Sequence, residues 1–186
     1  MTQVRNVAVI VGSLREASLS RKIALALGRM APENLKLDIV EIGNLPFYNE
    51  DLEAEAPAEW TAFRETIKAA DAVLFVTPEY NRSFPGALKN AIDVGSRPYG
   101  QAVWSGKPVA VASTSMGALG GFGANHHLRQ SLSFFDMPLL QQPEAYFGAT
   151  HTYFDEAGEV QVESTRALMK TFIDAFGAWV EKVLRD

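Results

Sequence analysis

The sequence predicts an α/β protein: a three-layer sandwich whose five-stranded parallel sheet has the order 2-1-3-4-5, with helices on both faces. Three observations lead there. Apolar β-branched runs alternate with amphipathic helical stretches from one end to the other. The run Val7-Ala8-Val9-Ile10-Val11 is polar on neither face, as a central parallel strand covered by helices on both sides must be. Leu37-Asp38-Ile39-Val40-Glu41-Ile42 partly alternates, as a half-exposed edge strand would. A central first strand and an edge second strand fix the order, and right-handed crossovers do the rest.

Taken in order, the first strand ends at Gly12, and a hydroxyl-rich loop, Ser13 to Ser20, leads into a helix from about Ser20 to Met30. After the edge strand, Gly43 to Pro57 carries prolines and several acids and reads as a long surface loop. A helix follows from about Pro57 to Ala70, with Trp60, Phe63 and Ile67 on one stripe. The third strand is Ala72 to Thr77, and its loop runs through Pro78 and Pro85 into a helix carrying Leu88 and Ile92. Pro78 lacks an N–H and Pro85 has a fixed φ suited to a helix start, so this loop is expected to be stiff. Ser96 to Gly100 ends that helix, and Trp104 to Pro108 turns into the fourth strand, Val109 to Ser113. The stretch Ser113 to Gly123, with three hydroxyl residues and four glycines, forms the loop before a helix of about Ala124 to Phe135. A weaker fifth strand is expected to begin at Met137-Pro138-Leu139-Leu140, Asp155 to Gly158 to form a turn, and a last helix to run from about Ser164 to Leu184.

Composition bounds the function. The 186 residues suit one domain covering the whole chain, with enough length to bury a core without disulfides or metals. There is no cysteine, so any redox chemistry must come from a bound cofactor. A net charge of -5 offers no general attraction to nucleic acid or anionic membrane. No apolar run approaches the roughly 20 residues of a membrane span, and the N-terminus has no signal-peptide pattern. The expectation is a soluble cytoplasmic protein.

In the 2-1-3-4-5 order the crevice lies between the first and third strands, so the loops Gly12 to Arg21 and Pro78 to Gly86 should meet there. The first enters a helix, which turns its amides toward an anion. Ser13, Ser18 and Ser20 add hydroxyls, and Arg15 and Arg21 add charge. Neither a dinucleotide fingerprint nor a P-loop is present, and this composition suits a terminal phosphate monoester. Helix capping by Ser18 or Ser20 is the simpler reading, but capping does not require both arginines. Four glycines in the loop after the fourth strand exceed the need of a tight turn and suit close backbone approach to a flat ligand. The adjacent His126 and His127 must face differently on a helix and make poor joint metal ligands. Asp51, Glu53 and Glu55 read as a solvated charge run.

Three stretches resemble the NADPH-dependent FMN reductases, in particular their quinone and chromate reductase branch. They are Gly12-Ser13-Leu14-Arg15-x-x-Ser18-x-x-Arg21, then Pro78-Glu79-Tyr80-Asn81-x-x-x-Pro85-Gly86-x-Leu88-Lys89-Asn90-Ala91-Ile92-Asp93-x-x-Ser96-Arg97, and Ser115-Met116-Gly117-x-x-Gly120-Gly121. The resemblance covers about Val7 to Leu140, and the second motif is the specific one. It implies a flavodoxin-like fold, bound FMN, NADPH or NADH as reductant, and a homodimer or homotetramer. The implied reaction is ping-pong hydride transfer to quinones or similar small acceptors, chromate, azo compounds or free flavin among them, with no catalytic side chain. By residue, Ser13, Arg15, Ser18, Leu19 and Ser20 would hold the phosphate. Pro78, Glu79, Tyr80 and Asn81 would line the ring, largely through backbone groups, and Ser115 and Gly117 would approach it from the fourth strand. Arg82 joins the set as a contact to a nicotinamide phosphate or an acidic substrate. Two other classes share the fold: a flavodoxin-type electron carrier without NAD(P)H turnover, and a phosphate-binding hydrolase. Carriers are usually far more acidic, and a hydrolase would need the missing cysteine or a carboxylate-metal cluster.

Overall fold

The computed structural model describes residues 3–185. Its parallel sheet has five strands in the order β2-β1-β3-β4-β5. They are β1 Arg5–Val11, β2 Leu35–Val40, β3 Ala72–Pro78, β4 Val109–Thr114 and β5 Ala145–Phe147. The helices are α1 Leu19–Met30, α2 Ala58–Ala69, α3 Gly86–Gly95, α4 Phe122–Ser133 and α5 Glu163–Val183. This is the predicted flavodoxin-like arrangement.

Each central strand is apolar on both faces because each face has its own helical layer. Val7, Val9 and Val11 of β1 pack with Leu74 and Val76 of β3 against α1 and α5, where Ile23, Leu27, Phe172 and Phe176 are fully buried. Ala8 and Ile10 pack with Val73 and Phe75 on the opposite face, against Trp60, Phe63 and Ile67 of α2, Leu88 and Ile92 of α3, and Leu128 of α4. Trp104 is enclosed in that second layer and donates its Nε1 proton to the Ile92 carbonyl at 2.9 Å.

Two expectations are corrected. The Met137–Leu140 stretch is not the fifth strand. It makes a single bridge, Leu139 to Val109, because Pro138 has no N–H to extend a ladder. The fifth strand is Ala145–Phe147, which pairs with Ala112 to Thr114 of β4. Three residues after Pro143 are too few to carry a strand pattern. The segment Gly43 to Pro57 is also not wholly irregular: Glu50–Glu55 forms a 3-10 helix, capped by the Asn49 side chain at 3.1 Å from the Asp51 amide. Asn90 of α3 pins this segment, accepting from the Tyr48 amide at 2.8 Å and donating to the Pro46 carbonyl at 3.1 Å.

Candidate functional site

The C-terminal ends of β1, β3 and β4 open into one cleft of about 280 Å³. Of the residues singled out in the sequence, Ser13, Arg15, Ser18, Leu19, Ser20, Pro78, Glu79, Tyr80 and Ser115 line it. Asn81, Arg82 and Gly117 do not, and lie on its rim in the two loops that bound it.

The wall after β1 is rich in unspent donors. Ser18 is the N-cap of α1, its Oγ accepting from the Arg21 amide at 3.1 Å, so the capping reading holds. The serine's own proton is left over. Ser20 Oγ lies 2.8 Å from Thr114 Oγ1, and both residues are buried. The backbone amides of Ser13, Arg15, Leu19 and Ser20 donate to no other group among the described residues. For Leu19 and Ser20 this is the orphan first turn of a helix, which favours an anion. Arg15 makes no ion pair among the described residues. Arg21 departs from expectation: it is held by Glu41 at 2.6 Å on the surface. That hydrogen bond raises the arginine's pKa and lowers that of Glu41. Arg21 is therefore spent on an ion pair, and Arg15 is the free charge of this wall.

The wall after β3 is a tight turn. Tyr80 and Ser83 exchange two backbone hydrogen bonds of 2.8 and 3.0 Å. Asn81 and Arg82 between them have φ of 51° and 66°. Positive φ at both central residues is the geometry of a type I′ turn. Asn tolerates it, whereas for Arg82 it costs on the order of 1 kcal/mol, strain of the kind stored at functional sites. Arg82 stands at the tip with its side chain 80% exposed. Tyr80 is half-exposed beside the cleft.

The wall after β4 spends its donors on itself. The Ser115 amide donates to the Phe147 carbonyl at 2.9 Å, and its carbonyl accepts from the Thr150 amide and hydroxyl, both at 3.1 Å. Ser115 Oγ accepts from the Gly117 amide at 3.0 Å. The Met116 amide, in contrast, has no partner among the described residues. The glycines serve packing as much as approach: a Cβ on Gly120 would meet the Tyr146 backbone at 2.6 Å, and Gly120 has φ of 59°. Behind this loop Tyr146 hydrogen-bonds His126 Nε2 at 2.7 Å, and burial, reinforced by Glu144, pushes its phenol up to about 12. His127 turns the other way, to Ser83 Oγ at 2.8 Å, so the adjacent histidines diverge as predicted.

The family can now be stated. A family model described as NADPH-dependent FMN reductase matches residues 5–152. The chain belongs to that family. A quinone reductase of Pseudomonas putida is 62% identical over 182 residues, covering 97% of each chain. A 2-hydroxy-1,4-benzoquinone reductase of a Burkholderia species is 46% identical over 174 residues, covering 94% of this chain and 95% of its own. Among solved structures, the flavoenzyme NAD(P)H:(acceptor) oxidoreductase FerB from Paracoccus denitrificans superposes with a TM-score of 0.91 at 44% identity, covering 96% of this chain and 98% of that one. As a member of the NADPH-dependent FMN reductases the chain is an NAD(P)H-dependent oxidoreductase that uses FMN.

The residues present fit such a reductase. One end of the cleft offers a free arginine, hydroxyls and open amides, which is the donor set for a phosphate monoester. The other end offers two fixed turns, with Tyr80 and the exposed side chain of Met116 beside them, which suits a flat ring. Sequence reasoning missed three lining residues, Thr114, Met116 and Thr150. Thr114 was visible only as one hydroxyl of the glycine-rich loop. Thr150 follows the unrecognised β5, in a short 3-10 turn, and no local pattern announces it.

Proposed function

We propose that this chain is a quinone reductase whose FMN phosphate is held by the loop from Ser13 to Ser20 and whose FMN ring lies between the Tyr80 turn and the Ser115–Gly117 segment. The observation that carries the reading is the pairing, in one cleft, of a donor-rich wall with two donor-poor, internally bonded walls. When bound, FMN supplies the redox chemistry, accepting two electrons as hydride from NAD(P)H and passing them to an acceptor.

The protein's work is positional. Arg15 supplies the charge opposite a phosphate dianion, and Ser13, Ser18 and Ser20 the hydroxyls. Thr114 can donate to Ser20 Oγ, which orients that serine to donate onward. Charge-assisted contacts are worth about 1.5–3 kcal/mol each, so a few of them anchor a mononucleotide. Pro78, Glu79, Tyr80 and Asn81 set the ring's edge through a turn that cannot relax without losing two backbone hydrogen bonds. The Met116 amide would be available to a charged edge of the ring, since those of Ser115 and Gly117 are committed. Arg82, with its side chain exposed on the turn beside the cleft, would meet the acidic part of the reductant or the acceptor. Names of relatives support a quinone as acceptor. We further infer one functional domain acting in the cytoplasm as a homodimer or homotetramer. No helix among the described residues is long and apolar enough to cross a membrane.

Mixing the yellow protein with NADPH in a stopped-flow instrument tests the reading. Rapid loss of the oxidised flavin bands, restored by benzoquinone, is expected. Flavin that stays oxidised under excess NADPH and excess NADH would overturn it.

A further inference from the structure

The N-terminus of α4 has no local cap. Its N-cap residue is Gly121, with no side chain to offer, and its first turn contains no acid. The missing acceptor comes from a different loop: Glu79 Oε2 accepts from the Ala124 amide at 3.0 Å, across 45 residues of chain. The Glu79 side chain is only 19% exposed, and its other oxygen lies 4.0 Å from Arg82 Nη1. A carboxylate there meets both the orphan amides and the positive end of the helix dipole. The contact is close-packed around Gly123, where a Cβ would stand 3.0 Å from Glu79 Oε2 and 3.0 Å from the Arg82 carbonyl.

We propose that the Glu79 carboxylate is a positioning residue that clamps the Tyr80 turn to the start of α4, and so fixes the distance between the two walls that hold the FMN ring. It acts through Ala124 and the loop leading into α4, not by touching the cofactor. The inference rests on the FMN reading above and assigns the glutamate's side chain a task separate from its backbone. It also accounts for Gly123, since any larger residue would push the turn and the helix apart. Arg82, in its strained backbone, closes the outer side of the same clamp.

The test compares the FMN-loaded wild type with Glu79→Ala, Glu79→Gln and Gly123→Ala, reading the rate of FMN release on dilution, the visible spectrum and the thermal midpoint. Glu79→Ala should release FMN about 10-fold faster, in the range of one charge-assisted hydrogen bond, with shifted flavin bands. Glu79→Gln keeps a carbonyl at the same reach and should return to within about threefold of wild type. Gly123→Ala keeps the glutamate itself and should still accelerate release, because its Cβ crowds Glu79 Oε2 and the Arg82 carbonyl and moves the wall. Release at the wild-type rate from Glu79→Ala would overturn the clamp, as would an effect of Glu79→Ala that Gly123→Ala does not share, which would indicate direct contact with FMN. A lowered thermal midpoint with unaltered release and spectrum would make the contact purely structural. A wild type that takes up no FMN refutes the cofactor reading itself, whereas a yellow wild type with indifferent variants refutes the clamp alone.

Discussion

The two ends of the cleft are built on opposite plans. Between Ser13 and Ser20 the chain leaves an arginine, the Ser13 hydroxyl and the first amides of α1 without partners among the described residues, and the Ser18 hydroxyl accepts one bond but keeps its own proton. Around Tyr80 and Ser115 the chain is bonded to itself: a doubly hydrogen-bonded turn, a glutamate capping a distant helix, a serine tied to β5 and Thr150. Unspent donors in an open cleft are met by water until a ligand takes them up, and charge-assisted contacts to a ligand are then a net gain. A self-bonded loop needs no ligand to satisfy its polar groups and offers a ligand shape in place of hydrogen bonds. On the proposed reading the difference divides binding energy from geometry: the donor-rich end would hold the cofactor by its phosphate, and the self-bonded end would place its ring.

The sharpest way to break this contrast is to remove the charge at the donor-rich end. Arg15→Ala should weaken FMN binding by roughly 10- to 100-fold, the loss of one or two charge-assisted hydrogen bonds, measured by quenching of flavin fluorescence. The thermal midpoint of the unloaded protein should barely move, because Arg15 is exposed and makes no ion pair among the described residues. The self-bonded end should behave in reverse. Gly120→Val would force a side chain into the Tyr146 backbone at a positive φ. It should lower the midpoint by about 4–10 °C, equivalent to roughly 2–3 kcal/mol, in protein without FMN. Ser20→Ala lies between the two. It removes the buried hydroxyl pair with Thr114 and should weaken FMN by about fivefold, near 1 kcal/mol.

These contrasts also mark what the sequence made legible. The fold was readable because its signals are long: Val7 to Val11 and Ala72 to Val76 are unbroken apolar runs, and their both-faced burial follows from helices on either side. The donor-rich loop was readable because its chemistry is carried by side chains in one contiguous segment. The self-bonded end was only half readable. The partner of Glu79 is Ala124, that of Ser115 is Thr150, and that of His126 is Tyr146. Each pairing depends on tertiary register, and two of the partners sit on or after a strand too short to leave a pattern. Arg21 was misjudged for the same reason, because Glu41 reaches it from just beyond β2.

The smallest expected effect supplies a control. Arg21→Ala removes an exposed ion pair worth a few tenths of a kcal/mol and should change FMN affinity by less than about twofold. The sign of its pH dependence follows from Glu41, whose pKa is lowered chiefly by the Arg21 hydrogen bond. That small contribution is present above the ordinary carboxylate range and is lost as pH falls below it. Urea midpoints of wild type and Arg21→Ala should accordingly converge in acid.

One titration goes to the root of the account: the unloaded protein with FMN and, separately, with riboflavin, which has the same ring and no phosphate. If the loop from Ser13 to Ser20 holds the cofactor by its phosphate, FMN should bind at least about 100-fold more tightly, two charge-assisted contacts' worth. Equal affinities would place the binding energy on the ring and contradict the division of labour between the two ends of the cleft.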